Sequence, residues 1–273
     1  MSHKIAVVTG AAGVLCSAMV KRLVGKGWKI ALVGRTESKL LTLQKECEAI
    51  AKDQTLVCTG DVTSTEDMEK ARAKIHQTWG KVALLINGAG GNQPGATAGL
   101  EELNLEDDLS KSFFGLKMDA YQEVLKLNLV GTVVPCQVFA KDMLELGSGN
   151  IVNFSSVSAN KPLTKVCGYS NAKAAVDSLT QWLAVHFAKR GIRVNAIMPG
   201  FFVTEQNRFL LHLEDGKTLS PRGHKIIKNT PMGRFGSAEE LGSALDFLIS
   251  EESRFVTGTV VAVDGGFTAF GKV

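Results

Sequence analysis

The stretch KIAVVTGAAGVLCSAMVKRLV, residues 4–24, runs from apolar residues through a turn of small residues into an amphipathic segment. Its first part, residues 4–10, predicts a short buried strand. Residues 14–26 predict a helix, because apolar side chains recur along one face of the segment. A strand, a glycine turn and a helix in this order form the geometry in which free N–H groups at a helix start bind a phosphate.

The same alternation of strand and helix continues along the chain. Further apolar runs of strand length occur at residues 29–34, 55–60, 82–88, 150–156, 192–200 and 258–266. Since these runs are apolar on both faces, they are typical of parallel strands that helices cover on two sides. The pattern predicts an α/β fold, a single doubly wound Rossmann domain over residues 1–273 with a seven-stranded parallel sheet and helices on both faces.

Two segments interrupt this alternation, at about residues 91–117 and 201–233. Each follows a predicted strand, at the edge of the sheet where ligands bind in doubly wound folds. Long ordered connections in compact domains are often functional. We therefore expect both segments to be substrate lids.

Composition and charge narrow the class of protein. The formal net charge is only +4 and no basic block occurs, so we expect no nucleic-acid partner. No run reaches the roughly 18 apolar residues of a membrane span, and the N-terminal segment leads straight into a strand, without a signal-peptide core. The five cysteines form no C-x-x-C pair and the histidines lack metal-ligand spacing. These features favour a cytoplasmic protein with reduced thiols, without a membrane partner and without a catalytic metal.

The glycine turn departs from the usual phosphate-loop pattern. Gly10 permits a tight turn, and Ala12 and Gly13 keep side chains small where a pyrophosphate approaches. Two positions that usually carry glycine in such loops hold Val14 and Cys16. From this stretch alone, a plain turn of small residues is the alternative.

Later residues favour the phosphate loop. Tyr169 and Lys173 are four residues apart and share one helix face. Ser156 lies thirteen residues before the tyrosine, at the end of a predicted strand, and Asn128 lies within the preceding helix. Two further motifs follow other strands, NGAG at residues 87–90 and PGFFVT at residues 199–204. This ordered set resembles the short-chain dehydrogenase/reductase family over nearly the whole chain.

The resemblance implies catalytic roles for Asn128, Ser156, Tyr169 and Lys173. Reduction of a ketone needs a proton donor, and a free tyrosine has a pKa of about 10. The positive charge of Lys173, one turn along the helix, would lower the pKa of Tyr169. By family resemblance, Lys173 also binds the nicotinamide ribose, Ser156 donates to the substrate oxygen and Asn128 holds a water linking Lys173 to solvent.

The family also implies a dinucleotide cofactor. The expected contacts are Gly10, Ala12, Gly13, Val14, Leu15, Arg35, Asp61, Val62, Asn87, Gly88, Ala89, Tyr169, Lys173, Pro199, Gly200, Phe202 and Thr204. Relatives that use NAD usually carry an acidic residue after the second strand. This chain has Gly34, Arg35 and Thr36 there, and an arginine can pair with a 2′-phosphate. The sequence favours NADP(H), with NAD(H) as the alternative.

Within the family, several stretches resemble the D-mannonate oxidoreductases, also called D-fructuronate reductases. These stretches are TGAAGVLCSAM, INGAGGNQP, AVHFAKRGIRVNAIMPGFFVTEQNR, RGHKIIKNTPMGRFG and VTGTVVAVDGGFTAF. That subgroup shares the valine and cysteine of the phosphate loop. The resemblance implies hydride transfer between NADP(H) and a keto or hydroxy group of a sugar acid. Such a substrate carries a carboxylate and hydroxyls, and the polar and basic residues Asn92, Lys165 and Arg208 are the candidate anchors for them.

The sequence leaves other substrates and another class of protein open. Within the family, the substrate is alternatively gluconate, a deoxy sugar or a 3-oxoacyl thioester. In another class, the chain is a dinucleotide-binding sensor without catalysis, although such proteins typically lack the tyrosine or the lysine. Relatives usually form dimers or tetramers, so we expect a homo-oligomer.

Overall fold

The protein is described from a computed structural model, which describes residues 4–203, 211, 213, 215 and 218–271. Seven strands form one sheet: β1 (Ile5–Thr9), β2 (Lys29–Gly34), β3 (Thr55–Thr59), β4 (Leu84–Asn87), β5 (Gly149–Phe154), β6 (Ile192–Pro199) and β7 (Val260–Val263). Their order is β3-β2-β1-β4-β5-β6-β7, and every neighbouring pair is parallel. The predicted seven-stranded parallel sheet is confirmed.

Helices connect the strands. In chain order they are α1 (Val14–Val24), α2 (Glu37–Glu48), α3 (Thr65–Thr78), α4 (Met118–Leu125), α5 (Gly131–Leu146), α6 (Val157–Asn160), α7 (Cys167–Phe187), α8 (Pro221–Lys228) and α9 (Leu241–Ile249). A π-helical turn, Lys126–Val130, joins α4 to α5. Short 3₁₀ turns occur at Pro94–Ala96, Leu109–Lys111, Phe113–Gly115, Ala188–Arg190, Ala238–Glu240 and Glu251–Ser253.

Each face of the sheet carries its own apolar core. Because side chains alternate along a strand, Val8 packs with α1, α2 and α9 on one face, whereas Val7 packs with α3, α5 and α7 on the other. Both residues are fully buried. The helices therefore lie on both faces, as the apolar runs predicted.

The helical run Met118–Leu146 has the length and composition of a membrane span. However, 56% of its most apolar window is buried inside the protein. This run is the one candidate span among the described residues. It packs against α3 and α7 and forms part of the apolar core that contains Val7.

The strand order reverses between β1 and β4, which lie next to each other although three helices and two strands separate them in the chain. Loops that leave their carboxyl ends diverge there and open a crevice. The register pairs Thr9 with Asn87 at this edge. The two predicted lids leave the same edge: residues 91–117 contain three of the 3₁₀ turns, and α8 lies within residues 201–233. Their role as lids of a single domain stays a prediction.

Candidate active site

The loop after β1 has the backbone of a phosphate site. Gly10 has φ +61°, and a β-carbon there would lie 2.8 Å from the Ala89 Cα atom. The Gly13 N–H donates to the Gly10 carbonyl at 2.9 Å, which closes the turn. Within the described chain, no side chain caps the start of α1 and no acidic residue lies in its first turn. The free N–H groups and the helix dipole favour an anion there.

This loop is tied to the loop after β4. The Thr9 hydroxyl accepts hydrogen bonds from the N–H groups of Gly88 and Ala89, at 3.1 and 3.3 Å. On the same side, a β-carbon at Gly88 would lie 2.0 Å from the Cys16 sulfur. Cys16 therefore fits because its neighbour is glycine. The glycine that the loop lacks at position 16 is thus compensated by the glycine at position 88.

A cavity of about 490 Å³ runs along the carboxyl ends of the strands. Predicted cofactor residues that line it are Gly10, Ala12, Gly13, Val14, Leu15, Arg35, Gly88, Ala89, Tyr169, Lys173, Pro199, Gly200 and Phe202. The predicted catalytic Ser156 also lines it. A single continuous crevice thus joins the glycine loop at one region to the tyrosine and lysine at another. Its small lining residues leave room for a dinucleotide.

Three predicted cofactor residues do not line this cavity. The Asp61 carboxylate accepts hydrogen bonds from the N–H and hydroxyl of Thr63, which lower the Asp61 pKa. Val62 is buried in the apolar core that contains Val7. The Asn87 amide donates to Asn153 and to the Cys136 sulfur, at 2.9 and 3.2 Å.

The fourth predicted residue that is absent from the lining, Thr204, lies outside the described residues. Asn87 faces the interior because β4 is central in the sheet, with β1 and β5 on either side. Its side chain braces the strand ends, whereas the two residues that follow it reach the crevice. The contacts of Asp61, Val62 and Asn87 with a cofactor stay predictions.

Several other residues line the cavity that the sequence analysis did not assign as cofactor contacts. They are Cys16, Gly34, Thr36, Lys39, Leu40, Gly90, Gly91, Phe154, Ser155 and Phe201. Lys39 is the most informative of them, because it adds a second cation beside Arg35. A signal was available: the two residues flank the start of α2, which follows β2 directly.

Tyr169 and Lys173 lie on one face of α7, as their spacing predicted. The Lys173 ammonium group donates to the Phe154 carbonyl at 2.8 Å and lies 5.7 Å from the centre of the Tyr169 ring. Lys173 is 5% exposed. Burial lowers its pKa from the usual 10.5 to about 8, although the thiol of Cys16 and the carboxylate of Asp177 act in the opposite direction. The ammonium group keeps most of its charge at neutral pH.

The Tyr169 hydroxyl is protonated in this environment. The pKa of Tyr169 is not lowered, as expected from the charge of Lys173, but raised above its usual value of 10. Burial is the main cause, and a hydrogen bond with Ser156 partly opposes the rise. The Ser156 hydroxyl in turn accepts hydrogen bonds from the N–H and the hydroxyl of Ser158, at 3.2 and 3.1 Å. Ser156 is thereby held at the wall of the cavity, next to the tyrosine. The arrangement can donate a proton and hold an oxygen atom at the same place.

Asn128 lies in the π-helical turn, a feature that often marks functional positions. Its amide donates to the carbonyls of Gly91 and Val124, at 2.7 and 2.8 Å, and its oxygen accepts from the Gly91 N–H at 3.2 Å. A β-carbon at Gly90 would lie 2.6 Å from that oxygen and 3.3 Å from the Lys173 nitrogen. Asn128 is buried and does not line the cavity, and its hydrogen bonds hold the loop beside Lys173. Its role in holding a water stays a prediction.

Two of the three candidate substrate residues, Asn92 and Lys165, lie apart from this cavity. The Asn92 amide donates to the Thr97 hydroxyl at 2.8 Å within its own loop. Lys165 has φ +74° and lines a neighbouring cavity of about 300 Å³, which also includes Glu101. Arg208 lies outside the described residues. Among the described residues, no three side chains of His, Cys, Asp or Glu form a metal-binding group.

Known proteins share this architecture. A family model described as enoyl-(acyl carrier protein) reductase, a branch of the short-chain dehydrogenases/reductases, matches residues 10–268. An uncharacterised oxidoreductase, UxuB of Bacillus subtilis strain 168, is 45% identical over 274 residues, covering 100% of this chain and 98% of the relative.

Two solved structures show the same fold with a cofactor. A provisionally assigned D-mannonate oxidoreductase of Haemophilus influenzae, with bound NAD, is 43% identical at a TM-score of 0.93, covering 100% of this chain and 99% of that one. A gluconate 5-dehydrogenase of Burkholderia cenocepacia J2315, in complex with NADP and tartrate, is 27% identical at a TM-score of 0.82, covering 98% and 96%. The chain belongs to the short-chain dehydrogenase/reductase family and is an NAD(P)-dependent oxidoreductase.

Proposed function

We propose that this enzyme reduces a keto sugar acid with NADPH, with the D-fructuronate/D-mannonate pair as substrate and product. The observation that carries the proposal is the meeting of Ser156, Tyr169 and Lys173 at one wall of the dinucleotide-sized cavity. The likeness to the Haemophilus structure, provisionally assigned as a D-mannonate oxidoreductase, supports the substrate.

The chemistry follows from the protonation states of these side chains. When bound in this cavity, the dinucleotide would supply the hydride that the carbonyl carbon accepts. Ser156 donates a hydrogen bond to the carbonyl oxygen, which gains the electron pair of the broken π bond. Tyr169, protonated because of its burial, transfers its hydroxyl proton to that oxygen and yields the alcohol. The Lys173 charge, held 5.7 Å from the ring, stabilises the tyrosinate that remains.

NADP(H) is the proposed preference. Arg35 and Lys39 both line the cavity after β2, where relatives that use NAD usually carry an acidic residue. Two cations favour the doubly charged 2′-phosphate of NADP over the neutral ribose hydroxyl of NAD. The Haemophilus structure is described with bound NAD, so both cofactors belong in the assay.

The test is the absorbance loss of NADPH and of NADH with D-fructuronate, beside a Tyr169→Phe protein. Turnover that the variant lacks, with a higher kcat/KM for NADPH, supports the reaction, the tyrosine and the cofactor preference together. Absence of turnover with either cofactor contradicts the proposed substrate.

A second candidate pair is 5-ketogluconate and gluconate, favoured by the likeness to the Burkholderia gluconate 5-dehydrogenase. Both pairs are six-carbon sugar acids, so the same assay with 5-ketogluconate distinguishes them by kcat/KM. A 3-oxoacyl thioester and a deoxy sugar complete the panel, because they lack either the polyol chain or the acid.

From the family resemblance we also propose a cytoplasmic homo-oligomer, a dimer or tetramer. Light scattering of the purified chain measures the assembly. A monomeric mass across the working concentration range contradicts it.

A further inference from the structure

A second cavity, of about 460 Å³, lies beside the cofactor cavity and shares Phe201 with it. Part of its lining comes from α8, where Arg222, Lys225 and Ile226 lie three and four residues apart on one helix face. Lys161 contributes another part. The cavity thus combines an apolar floor with long cationic side chains.

The charge around this cavity is unbalanced. Its lining includes three cations, Lys161, Arg222 and Lys225, against one carboxylate, Glu101. Lys225 forms an ion pair with Glu101. Lys161 and Arg222 have no ion-pair partner within the described chain. The pKa of Glu101 is lowered first by its hydrogen bond with Lys225 and then by the charges of Lys165 and Arg222. The surplus positive charge attracts an anion.

One cation of this cavity, Lys161, is close in sequence to the candidate catalytic residue Ser156. Ser156 is followed directly by α6, and Lys161 is the residue after α6. One short helix therefore separates the candidate oxygen-binding serine from a cation of the second cavity. A sugar acid carries its carboxylate a few carbons from its carbonyl, which matches two adjoining cavities with a shared aromatic wall.

We propose that Lys161, Arg222 and Lys225 bind the carboxylate of the substrate and select acidic sugars over neutral ones. The inference rests on the proposed function, because it names the subsite of the same reaction. Arg222 offers the planar pair of donors that suits a carboxylate. Lys225 exchanges its ion pair with Glu101 for the entering carboxylate, so one ion pair replaces another.

The experiment compares D-fructuronate with D-fructose, its neutral counterpart, in the wild type and in the Arg222→Gln and Lys161→Gln variants. Loss of a charge-assisted hydrogen bond raises KM for D-fructuronate by about 10- to 100-fold. The kcat/KM for D-fructose stays near the wild-type value, because that sugar has no carboxylate. An unchanged KM for the acid, or an equal fall for both sugars, overturns the inference.

A matched control and a second readout complete the design. Lys228→Gln makes the same change on the same helix at an exposed residue that does not line the cavity, and we expect no effect. Calorimetric titration of the NADPH complex with D-mannonate measures binding without turnover. If D-fructuronate is not reduced, the proposed function fails, yet binding lost only in Arg222→Gln and Lys161→Gln still supports the carboxylate site. Absent or equal binding overturns it.

Discussion

The sulfur of Cys16 occupies the space in which a β-carbon of residue 88 would lie, since 2.0 Å separates the two positions. Cys16 belongs to the first turn of α1, whereas Gly88 follows β4. The missing glycine of the phosphate loop is therefore matched by a glycine on the adjacent strand end. Burial raises the pKa of the Cys16 thiol to about 12, so it packs as a neutral group. The loop keeps its shape with a larger residue inside it.

This relationship predicts a coupled pair of mutations. Gly88→Ala overpacks the contact and lowers the free energy of unfolding by about 1–3 kcal/mol. Cys16→Gly in the same chain restores part of the loss; the restoration is partial because the new β-carbon also lies 3.0 Å from the Thr9 carbonyl. Denaturant unfolding of the two single variants and the double variant measures the coupling.

Gly91→Ala is the control for that cycle. A β-carbon at Gly91 would have one neighbour within 4 Å, the Leu127 side chain at 3.9 Å, which is ordinary contact. We expect little loss of stability. Additive effects of Gly88→Ala and Cys16→Gly would show that the two side chains do not compete for one space.

The proton-donor role of Tyr169 predicts that a variant without the hydroxyl loses catalytic rate but keeps its affinity for the cofactor. Tyr169→Phe removes the hydroxyl and lowers kcat by about 10²–10⁴-fold, the usual contribution of general acid catalysis. The dissociation constant for NADPH changes little, because the cavity is lined by many other residues. Steady-state kinetics and fluorescence titration separate the two effects. A variant that binds NADPH poorly but turns over normally would contradict the role.

Burial of Lys173 predicts a pH dependence of stability. Its pKa is about 8 in the folded protein, below the usual 10.5. Between these values the unfolded lysine holds a proton that the folded one has released, so this group makes the free energy of unfolding rise with pH. Below about pH 8 both forms are protonated and the buried charge costs stability in full.

The measurement is the difference in unfolding free energy between wild type and Lys173→Met across that pH range, without cofactor. The subtraction is needed because buried thiols act in the opposite direction: burial raises the pKa of Cys136 to about 12, so unfolding releases its proton at alkaline pH. We expect the unfolding free energy of the wild type to increase relative to that of the variant as pH rises. A flat difference would show that Lys173 titrates alike in both states.

The cations after β2 predict the cofactor preference. Arg35→Ala lowers kcat/KM for NADPH by about 10- to 100-fold, the size of a lost charge-assisted hydrogen bond, and leaves NADH nearly unchanged. We expect Lys39→Ala to lower kcat/KM for NADPH as well. Lys45→Ala serves as the control, since that exposed lysine in the last turn of α2 does not line the cavity. Equal losses for both cofactors would mean that Arg35 holds no 2′-phosphate.

Much of the fold was predictable because its signals are local. Short runs that are apolar on both faces indicate parallel strands, and all seven strands lie where these runs occur. The spacing of Tyr169 and Lys173 was equally informative, since residues four apart on a helix share a face. The glycine turn after β1 also followed from adjacent residues.

Contacts between distant segments could not be predicted in this way. The fit of Cys16 against Gly88 depends on β1 lying beside β4, and the interior position of Asn87 depends on β4 lying between β1 and β5. Asn128 supports the loop over Lys173 through a π-helical turn that no periodicity indicated.

The sequence by itself determined the class of fold, the glycine turn after β1 and the chemistry-bearing pair on α7, because each depends on neighbouring residues. The tertiary structure alone decided which side chains share a cavity. Lys161 and Arg222 meet at one cavity although 61 positions separate them in the chain. Both line this cavity because the fold brings α8 and the residue that follows α6 to the same place, and side-chain periodicity within either segment carries no information about it.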